Sequence, residues 1–297
     1  MRFFSQTEVY DSISPTRARL ALAAVLQGDF DPESDTPRTI TAAGTGELLS
    51  MPSAIPGWTG AKLITVAPDN PSSGLPRIQG VYVLFDTATM APRAIIDGNS
   101  LTLLRTPAMS ALVADYWAHP DAHSLLLVGT GPQAIAHAQF LAEVRPLDQI
   151  WVRGRSSTDA AVDKLRAMGL NAHRWAPGAR ADIVACCTSA QQPVIDAEDL
   201  NDGAFVIAMG SHSPAAREVP TDIMANSRIV IESRATTLRE GGDVIIPLRE
   251  GAISADDLVT VKDVVSGGVE REWTKPAVFK GTGMSWQDLA VASCLVN

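Results

Sequence analysis

The amino-acid sequence predicts an α/β protein in which a Rossmann-type, doubly wound sheet domain is joined to an α+β domain. Two observations support this prediction. Between about residues 124 and 233, short apolar strands alternate with helical stretches, as in "SLLLVG" followed by "PQAIAHAQFLAEV". Strands that are apolar throughout and separated by helices are typical of a parallel sheet covered on both faces. The first 105 residues contain hairpin-like turns and polar, proline-rich loops instead, which predicts a separate α+β region.

The N-terminal region contains one predicted helix and several predicted strands. The stretch "TRARLALAAVL" predicts an amphipathic helix, whereas "AKLITVAP" and "GVYVLFDTATMAPRAIID" predict strands, the latter with a hairpin-like turn. Near the C-terminus, "SWQDLAVASCLVN" predicts a helix that is capped by Ser285 and packs back on the first domain. We therefore predict a first domain over residues 1–110 and 285–297, and a dinucleotide-binding domain over residues 111–284.

Composition excludes several classes of function. The 297 residues carry a net charge of -9 and no basic block, which argues against nucleic-acid binding. No apolar run approaches the eighteen residues or so that a membrane span requires. The three cysteines have no framework spacing, and no Cys/His spacing indicates a metal site. We expect a cytoplasmic protein without a bound metal, membrane or nucleic-acid partner.

A glycine-rich loop carries the clearest chemical signal. In "LLLVGTGPQAIAH", Gly129, Gly131 and Ala134 fit the pattern G-x-G-x-x-G/A between a predicted strand and a predicted helix. The glycines would permit a tight turn and close approach of a pyrophosphate, which the helix N-terminus attracts. The alternative is an ordinary strand-to-helix turn. The predicted cofactor-binding residues of this loop are Gly129, Thr130, Gly131, Pro132, Gln133 and Ala134.

The end of the second predicted strand, "WVRGRSSTD", indicates which dinucleotide is bound. NAD sites usually place an acidic residue about 20 residues after the first glycine, where it bonds the ribose. Here that position offers Arg153, Arg155 and Ser156, with no acid at the strand tip. Arginines suit a 2′-phosphate, so NADP(H) is favoured over NAD(H). The alternative is that both arginines are solvated loop residues.

Several stretches, taken in order, resemble the ornithine cyclodeaminase/μ-crystallin family. They are "MPSAIPGWTGAKLITVAPDN", "LTLLRTPAMSALVADY", "VGTGPQA", "DIVACCTSAQQPVI", "MGSHSPAARE" and "EGGD". The resemblance covers nearly the whole chain. It implies an N-terminal domain for substrate binding and homodimerisation, completed by the C-terminal helix, with a Rossmann domain between. Family members move a hydride between a nicotinamide and the α-carbon of an amino or imino acid.

The resemblance also implies a set of substrate-binding residues. The carboxylate of an amino or imino acid is best held by arginine or paired cations in a dry site. Three of these positions have an alternative interpretation. Lys62 could be a surface lysine, Arg105 could form a salt bridge, and Asn70 could simply form a turn. The implied residues are Arg38, Met51, Lys62, Asn70 and Arg105.

Further cofactor contacts are implied along the strand ends of the predicted sheet, where the backbone passes the nicotinamide ribose in the family. Cys187 could equally be a buried strand residue. The residues implied are Thr106, Cys187, Thr188, Ser189, Met209, Gly210 and Ser211.

Two positions depart from the cyclodeaminases that the chain resembles. Cyclodeaminases hold the ornithine side chain with a Glu two residues before the "MP" pair, where this chain has Leu49. They also carry an Asp in "G-[GA]-D-x-P", where this chain has His212. Reduction of a C=N bond needs a proton on nitrogen, which a histidine can supply near neutral pH. His212 could instead cap a turn or line the cofactor pocket.

These departures make the chain most similar to reductases of cyclic ketimines. We expect NAD(P)H-dependent reduction of Δ1-pyrroline-2-carboxylate or Δ1-piperideine-2-carboxylate to L-proline or L-pipecolate, with His212 and Lys62 as catalytic residues. The alternatives are ornithine cyclodeaminase, alanine dehydrogenase and a crystallin-like protein that binds NADPH without turnover.

Overall fold

The computed structural model describes residues 1–296, the side chain of residue 71 excepted, and divides into two compact units. Unit 1 comprises Met1–Met109 together with the segment from Gly283 onwards, and unit 2 comprises Ser110–Thr282. Unit 1 has a mixed α/β fold and unit 2 has a parallel sheet, so the predicted fold class is confirmed. Among the described residues, none of the helices combines the length and apolar character that crossing a membrane requires.

Unit 1 is built on a six-stranded sheet in the order β1-β6-β5-β4-β3-β2. The first and sixth strands pair in parallel, and the other neighbouring strands pair antiparallel. The predicted hairpin after residue 78 is confirmed, because β5 and β6 are antiparallel neighbours. The strands are β1 (Arg2–Phe4), β2 (Thr39–Ala43), β3 (Gly46–Ile55), β4 (Trp58–Val66), β5 (Ile78–Asp86) and β6 (Pro92–Asp97).

Three helices lie in the N-terminal part of the chain: α1 (Gln6–Ser12), α2 (Pro15–Gln27) and α3 (Gly98–Trp117). The predicted amphipathic helix corresponds to α2, which buries Ala18, Leu22 and Leu26 at helical spacing. The division between the two units falls within α3, after Met109.

Unit 2 is built on an eight-stranded sheet in the order β13-β12-β14-β11-β10-β7-β8-β9, and all its paired neighbours are parallel. The strands are β7 (Ser124–Val128), β8 (Gln149–Arg153), β9 (Ala172–Arg174), β10 (Ala181–Cys186), β11 (Leu200–Ala208), β12 (Arg228–Ile231), β13 (Leu258–Thr260) and β14 (Ala277–Lys280). The helices are α4 (Pro132–Ala142), α5 (Asp159–Ala167), α6 (Thr221–Ala225), α7 (Arg234–Glu240), α8 (Gly242–Arg249) and α9 (Val261–Val265). Every residue of β7 is buried, as its apolar sequence predicts.

The final helix, α10 (Ser285–Ser293), belongs to unit 1 and packs against β3, β4, β5 and α2. The predicted cap at Ser285 is wrong. Ser285 is the first helical residue, and Met284 occupies the N-cap without a side-chain cap hydrogen bond. The carboxylate of Asp35 replaces the cap, because its Oδ2 accepts a hydrogen bond from the Trp286 backbone N–H at 3.0 Å. A tertiary contact therefore satisfies the end of this helix.

Candidate functional site

The glycine loop of unit 2 has the geometry that its sequence predicts. Gly129 has φ 124, and a Cβ atom there would lie 2.6 Å from the Cys187 carbonyl oxygen. Gly131 is the N-cap of α4 and makes no side-chain cap hydrogen bond, while Pro132 begins the helix. A Cβ atom on Gly131 would meet nothing within 4 Å. Open space therefore adjoins the N–H groups of a helix N-terminus, which fits a dinucleotide pyrophosphate.

A buried histidine ties the start of α4 to α3. His137 Nδ1 lies 2.7 Å from the Gln133 carbonyl oxygen, and Nε2 lies 2.9 Å from the Ser110 hydroxyl. Burial lowers the pKa of His137 to about 4, so the ring is neutral near pH 7. Nδ1 donates to the carbonyl and Nε2 accepts from the hydroxyl, because a carbonyl oxygen cannot donate. His137 therefore supports the first turn behind the loop.

The residues after β8 surround a cavity of about 520 Å³. Arg153 and Ser156 line it, and so does Arg174 from β9. The guanidinium of Arg153 lies 2.6 Å from Asp199 Oδ2 and stacks 4.6 Å from the centre of the Trp175 ring. Arg153 therefore has partners within the fold.

The other two predicted residues of this strand end, Arg155 and Ser156, are exposed. Arg174, which sequence reasoning did not select, pairs with the carboxylate of Asp159. Both Arg174 and Asp159 line the same cavity. Three positively charged side chains of unit 2 thus belong to the segments that end β8 and β9.

The carboxylate of Glu218 joins the ends of β10 and β11. Its Oε1 accepts hydrogen bonds from the backbone N–H and hydroxyl of Thr188, at 2.8 and 2.7 Å. Its Oε2 accepts one from the Gly210 backbone N–H at 2.6 Å. A Cβ atom on Gly210 would collide with the Thr188 carbonyl oxygen, so this close approach requires glycine. Two predicted cofactor residues are thus held together by an acid that the sequence did not single out.

A buried ion pair fixes the loop that follows β11. Lys280 Nζ lies 2.8 Å from Asp243 Oδ2 and donates to the Ser211 carbonyl oxygen. Asp243 Oδ1 accepts hydrogen bonds from the backbone N–H groups of Glu218 and Val219, at 2.6 and 2.9 Å. Burial raises the pKa of Glu218, and the charge of Asp243 raises it further. Lys280 was missed in the sequence, although a lysine closing the apolar stretch "AVF" is a visible signal.

His212 lies within this anchored loop and is exposed. Ser211, directly before it, is buried, and its hydroxyl donates to the Ala216 carbonyl oxygen at 2.7 Å. The loop is therefore fixed on either side of His212 while the imidazole faces solvent. Such a placement is compatible with a group that exchanges protons.

The remaining predicted cofactor residues differ in burial. In unit 2, the backbone N–H of Cys187 donates to Val128, and that of Met209 donates to Cys186, which continues the ladder past the strand ends. Thr106 is buried, Cys187 and Met209 are half-buried, and Thr130 and Ser189 are exposed. Among the described residues, no cluster of three or more His, Cys, Asp or Glu side chains could hold a metal ion.

In unit 1, Lys62 is a buried cation. Its side chain is 1 % exposed, and Nζ lies 2.9 and 2.8 Å from the two carboxylate oxygens of Asp288 in α10. Nζ also donates to the Thr102 hydroxyl at 3.3 Å. Burial lowers the pKa of Lys62 to about 8, although the charge of Asp288 opposes this effect. Lys62 is therefore not a surface lysine.

Arg105 and Arg38 converge on the same segment of unit 1. Arg105 Nε lies 3.5 Å from Asp288 Oδ1, and Nη1 donates to Gln287 Oε1 at 3.2 Å. Arg38 donates to the Gly283 carbonyl oxygen at 2.5 Å. Gly283 has φ 79, a left-handed conformation that favours glycine.

The charges of this cluster do not balance. The cluster contains three cations, Lys62, Arg105 and Arg38, and two carboxylates, Asp288 and Asp35. The excess of one positive charge suits an anionic ligand. Sequence reasoning missed Asp288, although an acid within the otherwise apolar stretch "DLAVASCLV" is a signal of a buried partner.

The other two predicted substrate residues are placed differently. Met51 is buried and pairs in register with Lys62, so both project to the same face of the sheet. Leu49 is buried two residues before Met51. Asn70 lies in the turn after β4, where its side-chain amide donates to the Pro76 carbonyl oxygen at 3.1 Å. The structure thus gives Asn70 a turn-forming contact.

Comparison with known proteins adds relatives of named activity. The chain is 32 % identical over 298 residues to a Δ(1)-pyrroline-2-carboxylate reductase of Bacillus cereus, covering 93 % of this chain and 90 % of the relative. The Δ(1)-pyrroline-2-carboxylate reductase of Thermococcus litoralis, solved in complex with NADH and L-proline, superposes with a TM-score of 0.92 at 25 % identity, covering 99 % of this chain and 96 % of that one.

A third protein, the iminosuccinate reductase of Paracoccus denitrificans in complex with NAD+, superposes with a TM-score of 0.91 at 25 % identity, covering 99 % of this chain and 94 % of that one. The family profile itself matches residues 7–297, which is nearly the entire sequence. The chain therefore belongs to the ornithine cyclodeaminase/mu-crystallin family.

Proposed function

We propose that this protein catalyses the NAD(P)H-dependent reduction of a cyclic ketimine carboxylate, Δ1-pyrroline-2-carboxylate or Δ1-piperideine-2-carboxylate, to L-proline or L-pipecolate. The observation that carries the proposal is the buried Lys62–Arg105 pair beside Asp288, in a cluster whose three cations exceed its two carboxylates by one. One unbalanced cation in a dry site matches the one carboxylate of such a substrate. The activities of the reductases that this chain is similar to support the same reaction.

The substrate carboxylate is assigned to the cations of unit 1. Arg105 offers a planar fork of N–H donors, and Lys62 offers a compact ammonium group. Arg38 is fixed by the Gly283 carbonyl oxygen at the same segment of chain and completes the set. The buried Leu49 offers no charge for the distal ammonium of ornithine, which disfavours the cyclodeaminase reaction.

Reduction of the imine needs a hydride on carbon and a proton on nitrogen. The nicotinamide cofactor supplies the hydride when it is bound. We assign the proton to His212, which is exposed on a loop that Glu218 and Lys280 anchor on either side. Lys62 is the second candidate, since a pKa of about 8 allows it to give up a proton near neutral pH.

The cofactor site is assigned to the carboxyl edge of the parallel sheet in unit 2. The N–H groups after Gly131 would hold the pyrophosphate, and the strand ends at Thr188 and Gly210 would border the nicotinamide ribose. Ser156 and Arg174, which line the cavity, would hold a 2′-phosphate together with the exposed Arg155. We therefore favour NADP(H) over NAD(H).

We also propose that the protein forms a homodimer through the outer face of the sheet in unit 1. One line of registered residues crosses five strands of that face and is apolar throughout: Phe3, Ile95, Val83, Ala61 and Pro52. A continuous apolar line on a sheet is typical of a protein interface. Val83→Asp should shift the protein from dimer to monomer in analytical ultracentrifugation, and a monomeric wild-type protein would contradict the proposal.

Cellular location follows as a further proposal. The three cysteines are free thiols, and free thiols are typical of the reducing cytoplasm.

The direct test is an assay with both ketimines and both reduced nicotinamides, following the loss of cofactor absorbance. We expect turnover of at least one ketimine, with a higher kcat/KM for NADPH than for NADH. Parallel assays with L-ornithine plus NAD+, and with pyruvate plus ammonia, test the cyclodeaminase and alanine dehydrogenase alternatives. Binding of NADPH without any turnover would favour the crystallin-like alternative and contradict the proposal.

A further inference from the structure

The hydroxyl of Tyr82 is buried without a partner. Tyr82 lies in β5, and its side chain is 0 % exposed. No group among the described residues lies within hydrogen-bonding distance of its Oη. Burying a hydroxyl without a hydrogen bond is unfavourable, so such an atom requires an explanation.

The strand register places this hydroxyl beside the cation cluster of unit 1. Tyr82 lies directly opposite Lys62, so the two side chains project to the same face of the sheet. A Cβ atom on Gly60 would collide with Oη and with the ring. The phenol therefore extends across β4 over Gly60, one position along the same face from Lys62. Glycine at position 60 is what gives the ring this room.

The acceptors near this face are already engaged. Asp288 binds Lys62 with both oxygens. Asp35 accepts from the Ser53 hydroxyl at 2.6 Å and from the Trp286 backbone N–H at 3.0 Å. Neither of these carboxylates accepts a hydrogen bond from Oη.

Two further buried donors lie on this side of unit 1. Arg105 Nε and Trp286 Nε1 also have no hydrogen-bond partner among the described residues. Hydrogen-bond donors thus outnumber hydrogen-bond acceptors around the cation cluster of unit 1. A ligand that suits the cluster brings acceptor oxygens and a negative charge, as a carboxylate does.

The phenol acts as a donor in this environment. Burial raises the pKa of Tyr82 well above its usual range, and the charges of Asp288 and Asp35 raise it further. The hydroxyl therefore keeps its proton at every pH at which the protein would be assayed.

We propose that Tyr82 is a specificity-determining residue whose hydroxyl donates a hydrogen bond to the carboxylate of the substrate held by Lys62 and Arg105. This inference rests on the proposed function, since it assigns a third donor to the same carboxylate. It also explains why a polar atom is kept in an otherwise closed part of the sheet face. The chemical class it selects is a small amino or imino acid with a free carboxylate.

The test uses Tyr82→Phe, which removes only the hydroxyl. Binding of pyrrole-2-carboxylate, a planar and unreactive carboxylate, is measured by calorimetry in the presence of saturating NADP+. We expect the Kd to rise about tenfold and KM for the ketimine to rise with it, while kcat stays within about twofold. The melting temperature without ligand should stay the same or rise, because the lost hydroxyl had no partner.

Tyr116→Phe is the matched control, since Tyr116 lies partly exposed in α3 and should change none of these quantities. An unchanged Kd in Tyr82→Phe, together with normal ketimine turnover by the wild type, would overturn this inference alone. A lower kcat at unchanged KM would also overturn it, because the hydroxyl would then act on the reacting atoms. Wild-type binding of pyrrole-2-carboxylate without turnover would overturn the proposed function but not the role of Tyr82.

Discussion

Each unit of the protein contains one buried lysine–aspartate pair, and the two pairs differ in what surrounds them. Lys62 and Asp288 in unit 1 lie 2.8 Å apart, as do Lys280 and Asp243 in unit 2. All four side chains are at most 1 % exposed. In unit 1 a second cation, Arg105, lies beside the pair, whereas in unit 2 a second acid, Glu218, lies beside it.

The added acid in unit 2, Glu218, has both carboxylate oxygens occupied by hydrogen bonds within the protein. Both oxygens of Glu218 accept hydrogen bonds from the segments that follow β10 and β11, and Asp243 accepts two backbone N–H groups. In unit 1, the extra cation and the hydroxyl of Tyr82 leave positive charge and donors in excess. The same type of ion pair therefore supports a loop in one unit, and in the other unit it belongs to the cluster to which we assign an anionic ligand. The role of each pair depends on whether the neighbouring charges cancel and whether the neighbouring hydrogen-bond donors have acceptors.

The largest expected effect is that of Lys62→Met. Removing the ammonium should lower kcat/KM for the ketimine about 10³-fold, the equivalent of ~4 kcal/mol. Steady-state kinetics measure this loss. The variant should also be less stable, because the buried Asp288 loses its two short contacts with Lys62 and keeps only the 3.5 Å contact with Arg105.

A double variant, Lys62→Met with Asp288→Asn, separates the two losses. It should regain part of the stability, since the buried carboxylate is removed while Arg105 loses its ion pair with position 288, but it should not regain activity. Lys275→Met is the matched control, because Lys275 forms an exposed pair with Glu272 that contributes little. Full activity in Lys62→Met would contradict the proposed role of Lys62 in binding the substrate carboxylate, and with it the contrast between the two lysine–aspartate pairs.

Next in size is the effect of removing His212, the proposed proton donor on the loop that the Lys280–Asp243 pair anchors. His212→Ala should lower kcat about 10²-fold while the Kd for NADPH changes little. Rapid kinetics and fluorescence titration of NADPH measure the two quantities. His173→Ala, at a histidine of β9 in the same unit, is the control. A variant that retains its kcat would leave "MGSHSP" as a turn at the end of β11.

The second lysine should matter for stability rather than for anion binding. Lys280→Met leaves Asp243 buried without its cation and should cost about 3–5 kcal/mol of unfolding free energy, measured with urea. The Kd for pyrrole-2-carboxylate should be unchanged, in contrast to Lys62→Met. Loss of carboxylate binding in Lys280→Met would show that the two pairs do not have separate roles.

The smallest expected effect is a pH dependence of stability and of kcat/KM that only the Lys62–Asp288 pair should confer. Burial lowers the pKa of Lys62 from 10.5 to about 8, so the folded protein loses this proton before the unfolded chain does. Between pH 8 and 10.5 the unfolded chain binds more protons, so this residue's contribution to stability rises with pH. Carboxylate binding needs the cation, so kcat/KM should fall about tenfold per pH unit above about pH 8.

Lys62→Arg keeps its charge and should lack this alkaline decrease, although the change in shape will lower its activity. An alkaline decrease that persists in Lys62→Arg would assign it to another group.

Local patterns were enough to predict much of unit 2. The glycine loop, the helix after it and the apolar strands around it depend on residues close together in sequence, and each was recognised there. The strand β14 was not, because three apolar residues and a lysine are too few to show a periodicity of their own. Its place between β11 and β12 follows from tertiary pairing.

The candidate sites show the same division. Lys62, Arg105 and Arg38 were selected through a family resemblance, whereas Asp288, which neutralises one of them, lies 226 residues from Lys62 and was missed. Glu218 and Lys280 were missed for the same reason, since each is a charged residue whose partners come from other strand ends. Tyr82 could be recognised as unpartnered only once its neighbours were known.

The sequence by itself determined the fold class, the family and the position of the glycine-rich turn, because backbone conformation and apolar periodicity are local properties. The tertiary structure alone decided which charges are paired and which donors stay unpaired. Burial and pairing depend on groups that are distant along the chain, and they set both the cost of a charge and its pKa. The excess of one cation beside Asp288, and with it the assignment of a carboxylate site, is therefore a property of the folded molecule.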